Sequence, residues 1–386
     1  GDYVPVDQVV ETYRKWLYLP YTDVLDVMFG TIIANRLDGD PLWVFLVAPP
    51  GGTKTELLNT ISDAPNIVTT STVSSKALVS GSIIAGGADP SLIPKLNGKS
   101  LIVKDFTTVL NSPQMVLDEI FGVLRDAYDG KTEKDFGNGQ HKSYKSKFGM
   151  LSGVTPAIDR FTDGNSSLGE RFLRYNIELP TTAREQEEYL FRATCNSGRE
   201  TEMRAELAAI GKAVLSYDFK KVPDVPPRIN KRLMALAQYV ARMRGTVVRD
   251  KYTKEVTHAA YSEMGTRLVK QFTKMAVGIG MYRGVSEIDM NIYNIVKRMG
   301  LSTIPARLAK IVEYVYTTDG DGLYTAKDVA KACDMEESIA TRMLVDLKLL
   351  GIMEEVQSGL GGRGYKVSED GMYICDEGAI YDGKTR

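Results

Sequence analysis

Leu42-Trp43-Val44-Phe45-Leu46-Val47-Ala48-Pro49-Pro50-Gly51-Gly52-Thr53-Lys54-Thr55-Glu56-Leu57-Leu58-Asn59-Thr60-Ile61 decides the fold class of this chain. Its first six residues are an apolar run of strand length, and from Glu56 onward the apolar spacing is helical. The turn between them follows G-x-x-x-x-G-K-[ST], with Ala48 in place of the first Gly and Thr53 in place of the second. Gly51 and Gly52 keep its backbone adaptable. Such a turn suits a polyphosphate. Bare backbone N–H groups can wrap a β-phosphate and a helix N-terminus points its positive end there, while an ammonium bridges β- and γ-phosphates and a hydroxyl holds magnesium. Lys54 and Thr55 fit the last two roles. An ordinary Pro/Gly turn with a solvated lysine is the plainer reading, but it leaves the strand before, the helix after and the phase of Lys-Thr to coincidence. The expected nucleotide-binding set is Pro50, Gly51, Gly52, Thr53, Lys54, Thr55 and Glu56, with ATP and Mg2+ as cofactors.

About fifty residues later a second apolar strand, Leu101-Ile102-Val103, runs into Lys104-Asp105-Phe106-Thr107-Thr108. A carboxylate at the C-terminal end of a strand can hold the water shell of magnesium, so Asp105 joins Thr55 as an expected metal ligand. In motor ATPases this carboxylate is usually followed by Glu, which polarises the attacking water; here Phe106 follows. Two solutions stay open. Either the register slips by one and Asp105 is itself the base, or Glu56 or Glu119 substitutes.

The bulk composition sets the frame. At 386 residues the chain is expected to hold two or three domains. No apolar run approaches the roughly 18 residues of a membrane helix. Cys195, Cys333 and Cys375 stand far apart with only two histidines in the whole sequence, which speaks against disulfides and zinc and for a reducing, cytoplasmic setting. The start, Gly1-Asp2-Tyr3-Val4-Pro5, has neither a secretion signal nor an initiator Met, and reads as a portion of a longer protein. With a net charge of −1, any contact with nucleic acid must come from a local basic feature.

Such a feature follows a helix predicted over Pro113 to Tyr128. Lys131 to Lys147 carries a Gly137-Asn138-Gly139 turn between two polar stretches and reads as a β-hairpin with a basic return arm. Next comes the strand Phe148 to Val154, ending at Thr155, where a nucleotide sensor would sit. Glu170-Arg171-Phe172-Leu173-Arg174 then places an arginine before another apolar strand. A solvated edge guarded by lysines, and surface arginines in weak ion pairs, are the bland readings of these features.

This order of parts resembles the AAA+ motors, specifically the minichromosome maintenance-like helicases and the helicase portions of phage and plasmid primase-helicases, over most of the chain. The resemblance implies an α/β fold with a P-loop αβα core and parallel sheet, a helical lid and a C-terminal winged helix. It implies a hexameric ring of identical subunits, encoded by a bacterium, phage or plasmid. Such a ring couples ATP hydrolysis to movement along single-stranded or forked DNA, with a fused or associated primase. Residue by residue, it makes Lys142, Lys145 and Lys147 candidates for gripping DNA, Thr155 the first sensor, Arg171 the arginine finger with Arg174 as runner-up, and Arg267, in Gly265-Thr266-Arg267-Leu268, the second sensor. Lys54, Asp105, Thr155, Arg171 and Arg267 would form the catalytic set. Here Glu170 replaces the Ser of the family's Ser-Arg-Phe finger motif.

Composition suggests four segments: an N-terminal helical segment over 1–38, the nucleotide-binding core over 39–180, a charged helical lid over 181–301 and a winged helix over 302–386. The third helix of the last module offers only Arg342 and Lys348 beside Glu336, Glu337 and Asp346, so groove reading by it is disfavoured. Arg363 and Lys366 are its remaining phosphate candidates. Two alternatives to a helicase stay open: an AAA+ remodeller or helicase loader acting on a protein partner, and a scaffold that binds ATP without turning it over.

Overall fold

Trp43-Val44-Phe45-Leu46-Val47 is buried throughout, as are Ser100–Val103 and Gly149–Val154, and strands buried on both faces are the mark of a parallel sheet covered by helices. The computed structural model describes residues 1–51, 53–82, 86–161, 171–245, 247, 251–253, 255, 265–357, 359 and 361–381. In chain order the elements are α1 (Val6–Trp16), α2 (Asp23–Ala34), β1 (Trp43–Val47), α3 (Thr53–Asn59), β2 (Ile67–Thr70), α4 (Ser75–Leu78), β3 (Ser100–Val103), α5 (Thr107–Leu110) and α6 (Gln114–Tyr128). Then come β4 (Lys131–Asp135), β5 (His141–Lys145), β6 (Gly149–Val154), β7 (Phe172–Asn176), α7 (Ala183–Cys195), α8 (Glu200–Leu215), α9 (Pro227–Met243) and α10 (Thr266–Arg283). The last are α11 (Met290–Ser302), α12 (Ala306–Asp319), α13 (Ala326–Ala332), α14 (Glu337–Leu349), β8 (Met353–Gln357), β9 (Arg363–Val367) and α15 (Glu369–Gly378). Among the described residues no helix is long and apolar enough to cross a membrane.

Two compact units divide the chain: residues 1–224 with 274–288, and 225–273 with 289–386. The division falls elsewhere than the expected boundaries at 180/181 and 301/302, and packing gives the reason. α8 belongs with the first unit: Gly211 lies so close to the end of α3 that a Cβ there would stand 2.0 Å from the Thr60 carbonyl oxygen. α9 and α11 belong with the C-terminal helices. The last turn of α15 leaves carbonyls without helical partners, and these accept from Arg232, Tyr293 and Lys297 on those two helices.

In the first unit β1, β2, β3, β6 and β7 form one parallel sheet in the order β2-β3-β6-β1-β7. Trp43, Phe45 and Val47 alternate toward one face and enter a core with Phe106, Leu124, Phe148 and Phe172. Phe45 and Phe172 stack at 4.0 Å between ring centres, and Trp43 donates its indole N–H to the Phe148 carbonyl at 2.8 Å. Elsewhere in this unit α2 packs on the C-terminal half of α10 through Gly30 and Gly278, where a Cβ on Gly278 would meet the Gly30 carbonyl at 2.3 Å. Asp26 and Arg283 seal that contact with an ion pair at 2.6 Å, its carboxylate buried and its guanidinium partly exposed. Outside the sheet, β4 and β5 pair as an antiparallel hairpin, the segment read as one from its Gly-Asn-Gly turn.

Among its described residues the second unit is helical apart from the β8–β9 hairpin and an isolated bridge between Tyr324 and Tyr365. Its helices start where the sequence supplies caps: Asp289 on α11, Ser368 on α15, and a reciprocal Thr325/Asp328 box on α13.

Candidate functional site

In a parallel open sheet the C-terminal ends of the strands share one edge, and ligands bind in the crevice where neighbouring connections diverge. β1, β6 and β3 lie side by side, and each delivers an expected residue to that edge: Lys54 beyond β1, Thr155 directly after β6 and Asp105 two residues after β3. A 2.9 Å bond from the Phe106 N–H to the Gly153 carbonyl joins the ends of β3 and β6. Gly153 permits the crowding there, since a Cβ would stand 2.8 Å from the Lys104 carbonyl and 3.3 Å from Lys54 Cβ.

The Lys54 ammonium is nearly buried and folds back over its own turn, donating to the Ala48 carbonyl at 2.6 Å and the Pro49 carbonyl at 3.0 Å. Burial lowers its pKa, and the Asp105 carboxylate partly offsets the shift. Gly51 has φ of +153°, a conformation that favours glycine, while Pro50 and Thr55 are exposed and Thr53 is half-buried. Gly52 lies outside the described residues.

Asp105 is exposed and caps the short α5, one oxygen accepting from the Thr107 N–H at 3.0 Å and the other from the Thr108 hydroxyl at 2.9 Å. Phe106, the residue that sits where a base was expected, is fully buried between Phe45 and Phe172. Its side chain belongs to the core. The two substitute carboxylates are engaged: Glu56 pairs with Arg204 at 2.8 Å, and Glu119 pairs with Lys134 of the hairpin at 2.8 Å, which lowers its pKa.

Three neighbours of the edge escaped sequence reasoning. Thr107 clamps Thr155: its hydroxyl accepts from the Thr155 N–H at 3.0 Å and donates to the Thr155 hydroxyl at 3.3 Å. Arg204 brings an exposed cation to the first turn of α3. A shallow cleft lies beside Thr53, lined by Tyr18, Pro20 and Tyr21 from the α1–α2 connection, by Tyr175 of β7 and by Ile177 and Pro180 after it. Tyr189 of α7 meets the Thr53 hydroxyl there at 2.6 Å. The aromatic-proline run Tyr18 to Tyr21 was the only sequence signal for this wall.

The arginines expected to face a neighbouring subunit point inward. Arg171 is 8% exposed, pairs with Asp129 at 3.5 Å and lies over the Tyr128 ring. It precedes β7 and so stands at the opposite edge of the sheet from Lys54. Arg174 is 5% exposed and bonds Asp159 at 2.7 Å. Each guanidinium is thus paired with a carboxylate of its own chain. Arg267 is half-buried in the first turn of α10, within the second unit. Glu170 lies outside the described residues.

Of the three lysines expected to grip DNA, Lys142 is held within the chain by Asp89 at 3.1 Å and by the Ser80 carbonyl, whereas Lys145 and Lys147 are exposed, Lys147 lying 3.9 Å from Asp40. In the second unit Arg363 and Lys348 pair with Glu355 at 3.3 and 2.9 Å, and Lys366 pairs with Glu354 at 3.2 Å.

No protein-family model matches the chain, and no curated protein matches it. What the fold defines is an α/β protein with a five-strand parallel sheet.

Proposed function

We propose that the chain is an ATP-dependent motor of the AAA+ kind that moves along a DNA strand as a ring of identical subunits. One observation carries this reading: β6, which Thr155 directly follows, is inserted between the strand leading to Lys54 and the strand leading to Asp105. Only that insertion brings an ammonium, a hydroxyl and a carboxylate from three distant stretches to one edge. That is the equipment for binding a triphosphate and testing its state.

In this reading the Lys54 ammonium exchanges the Ala48 and Pro49 carbonyls for phosphate oxygens, which costs little because both arrangements keep it hydrogen-bonded. The Thr55 hydroxyl and the Asp105 carboxylate are hard oxygen donors suited to magnesium, which supplies charge neutralisation on the phosphates. With Phe106 in the core and Glu56 and Glu119 paired, Asp105 is the carboxylate left to orient water. Thr107 is its positioning partner, through the backbone N–H that Asp105 caps and the hydroxyl that holds Thr155. Arg171 and Arg174 lend the ring no support.

A second reading, an AAA+ remodeller or loader acting on a protein, is favoured by the C-terminal module. Read as a winged helix, its wing has its cations neutralised by Glu354 and Glu355, which suits a protein contact better than a phosphate backbone. The discriminating experiment is ATP turnover with and without single-stranded DNA. Stimulation by DNA supports the motor; turnover indifferent to DNA supports the remodeller; no binding of MgATP refutes both.

A further inference from the structure

A helix as short as α7 is marginal alone and is normally secured by burying an apolar face. α7 buries none of its residues, and its two large apolar side chains, Leu190 and Phe191, are 61% and 66% exposed. Polar residues hold it instead. Tyr189, Arg192 and the C-capping Asn196 recur at i, i+3 and i+7 and so share one face. Each makes a tertiary hydrogen bond: the Tyr189 hydroxyl with the Thr53 hydroxyl at 2.6 Å, the Arg192 guanidinium to the Lys15 carbonyl at 3.1 Å and the Asn196 amide to the Trp16 carbonyl at 2.6 Å. The last two fasten α7 to the C-terminal end of α1. The first reaches the phosphate turn.

Thr53 is where that turn departs from its sequence pattern, standing in the place of the second glycine and directly before Lys54. A glycine would offer Tyr189 nothing to bond. The threonine hydroxyl therefore ties the turn to α7, and the tie has an energetic use. A turn containing Gly51 and Gly52 loses much backbone freedom when it closes on a ligand. Fixing one end of it beforehand lowers that cost. Because hydrogen bonds between partly hydrated groups are each worth little net, a small change at the turn is enough to loosen or tighten α7. Elements that respond to ligands are drawn from such weakly held parts.

We propose that Tyr189 is a positioning residue for the phosphate turn, and that through its bond to Thr53 α7 tightens on the protein when a triphosphate binds. The coupling is reciprocal: if the bond favours the binding conformation of the turn, phosphate binding must favour the bond. The proposal rests on the nucleotide-binding part of the function above, and gives Tyr189 neither a catalytic step nor a contact with the ligand.

The test is calorimetric titration of the intact chain with a non-hydrolysable MgATP analogue. Tyr189→Phe and Thr53→Val keep the shape of each side chain and remove one hydroxyl, so each should weaken binding about three- to tenfold, the range of a single hydroxyl hydrogen bond. The double variant should lose no more than either single one, because both changes remove the same bond. Thr53→Ser should recover most of what Thr53→Val loses. Cys195, exposed at the end of α7 while Cys333 and Cys375 are buried, takes a nitroxide label selectively. Its electron paramagnetic resonance spectrum should show slower motion when the analogue saturates the wild type, and no such change in saturated Tyr189→Phe. Binding by Tyr189→Phe within about twofold of the wild type, additive losses in the double variant, or a wild-type label indifferent to the analogue each overturns the proposal, while binding by the wild type keeps the phosphate turn standing. If the wild type does not bind the analogue, this proposal and the nucleotide-binding part of the function fall together.

Discussion

Phe106→Glu separates a sequence-based expectation from the structure. By motif alone the change restores the Asp-Glu pair of a motor ATPase and should raise turnover. The structure requires the opposite: Phe106 is 0% exposed, with the Phe45 ring centre at 5.0 Å and that of Phe172 at 6.1 Å. Removing a fully buried phenylalanine side chain costs about 3–5 kcal/mol, and a carboxylate in its place adds the burial of a polar group without a partner. In a domain of this size each kcal/mol lowers the melting temperature by about 2–4 °C, so a fall of about 10 °C or more is expected. Thermal unfolding followed by circular dichroism reads it, with Phe106→Leu as the control, expected to lose no more than about 1.5 kcal/mol and to keep turnover. A Phe106→Glu variant that melts with the wild type and hydrolyses ATP faster would refute the placement of this side chain in the core and the assignment of Asp105 with it.

Lys54→Ala should remove the thermal stabilisation by MgATP, which in the wild type amounts to about 2.7 kcal/mol at a hundredfold excess over the dissociation constant; a shift that survives in the variant argues against the phosphate role. Asp105→Asn should abolish turnover, whereas Glu56→Gln and Glu119→Gln should keep it within a few-fold in a coupled ATPase assay. Gly153→Ala forces a Cβ to 2.8 Å from the Lys104 carbonyl, and is expected to cost about 1–3 kcal/mol in denaturant melts and to depress turnover. Acid should spare the hairpin anchor. Burial alone would raise the Asp89 carboxyl, but hydrogen bonds from Tyr144, Ser91 and Lys142 outweigh it and hold the group well below the usual carboxylate range. With the folded pKa below the unfolded one, its stabilisation is complete above about pH 4 and is lost only as pH falls further through the folded value. An acid melting profile that Asp89→Asn leaves unchanged would show that the group contributes nothing.

Much of this was legible from local pattern. The strand-turn-helix over Leu42 to Ile61, the strand before Asp105, the strand before Thr155 and the Gly-Asn-Gly hairpin are each written in a few consecutive residues, because period, turn chemistry and burial on both faces are short-range properties. Phe106 was not. Its type is plain in the sequence, but whether it faces the site or the core depends on Phe45 and Phe172, which stand far from it in the chain. The unit boundaries were also hidden: composition groups α7 to α11 as one charged helical tract, whereas packing sets α8 against α1 and the end of α3, and α9 and α11 against the carbonyls of α15.

For the lysines and arginines the same reason is sharper. The sequence by itself determined that Lys142, Lys145, Lys147, Arg171 and Arg174 exist and stand at suggestive spacings, and that a Lys-Thr turn follows an apolar strand. Only the tertiary structure decided which of those charges remain available. A cation's role depends on the carboxylate that reaches it first, and Asp89, Asp129 and Asp159 lie 53, 42 and 15 positions from the groups they neutralise. Such a partner is chosen by the folding of the whole sheet, which no local window of sequence records.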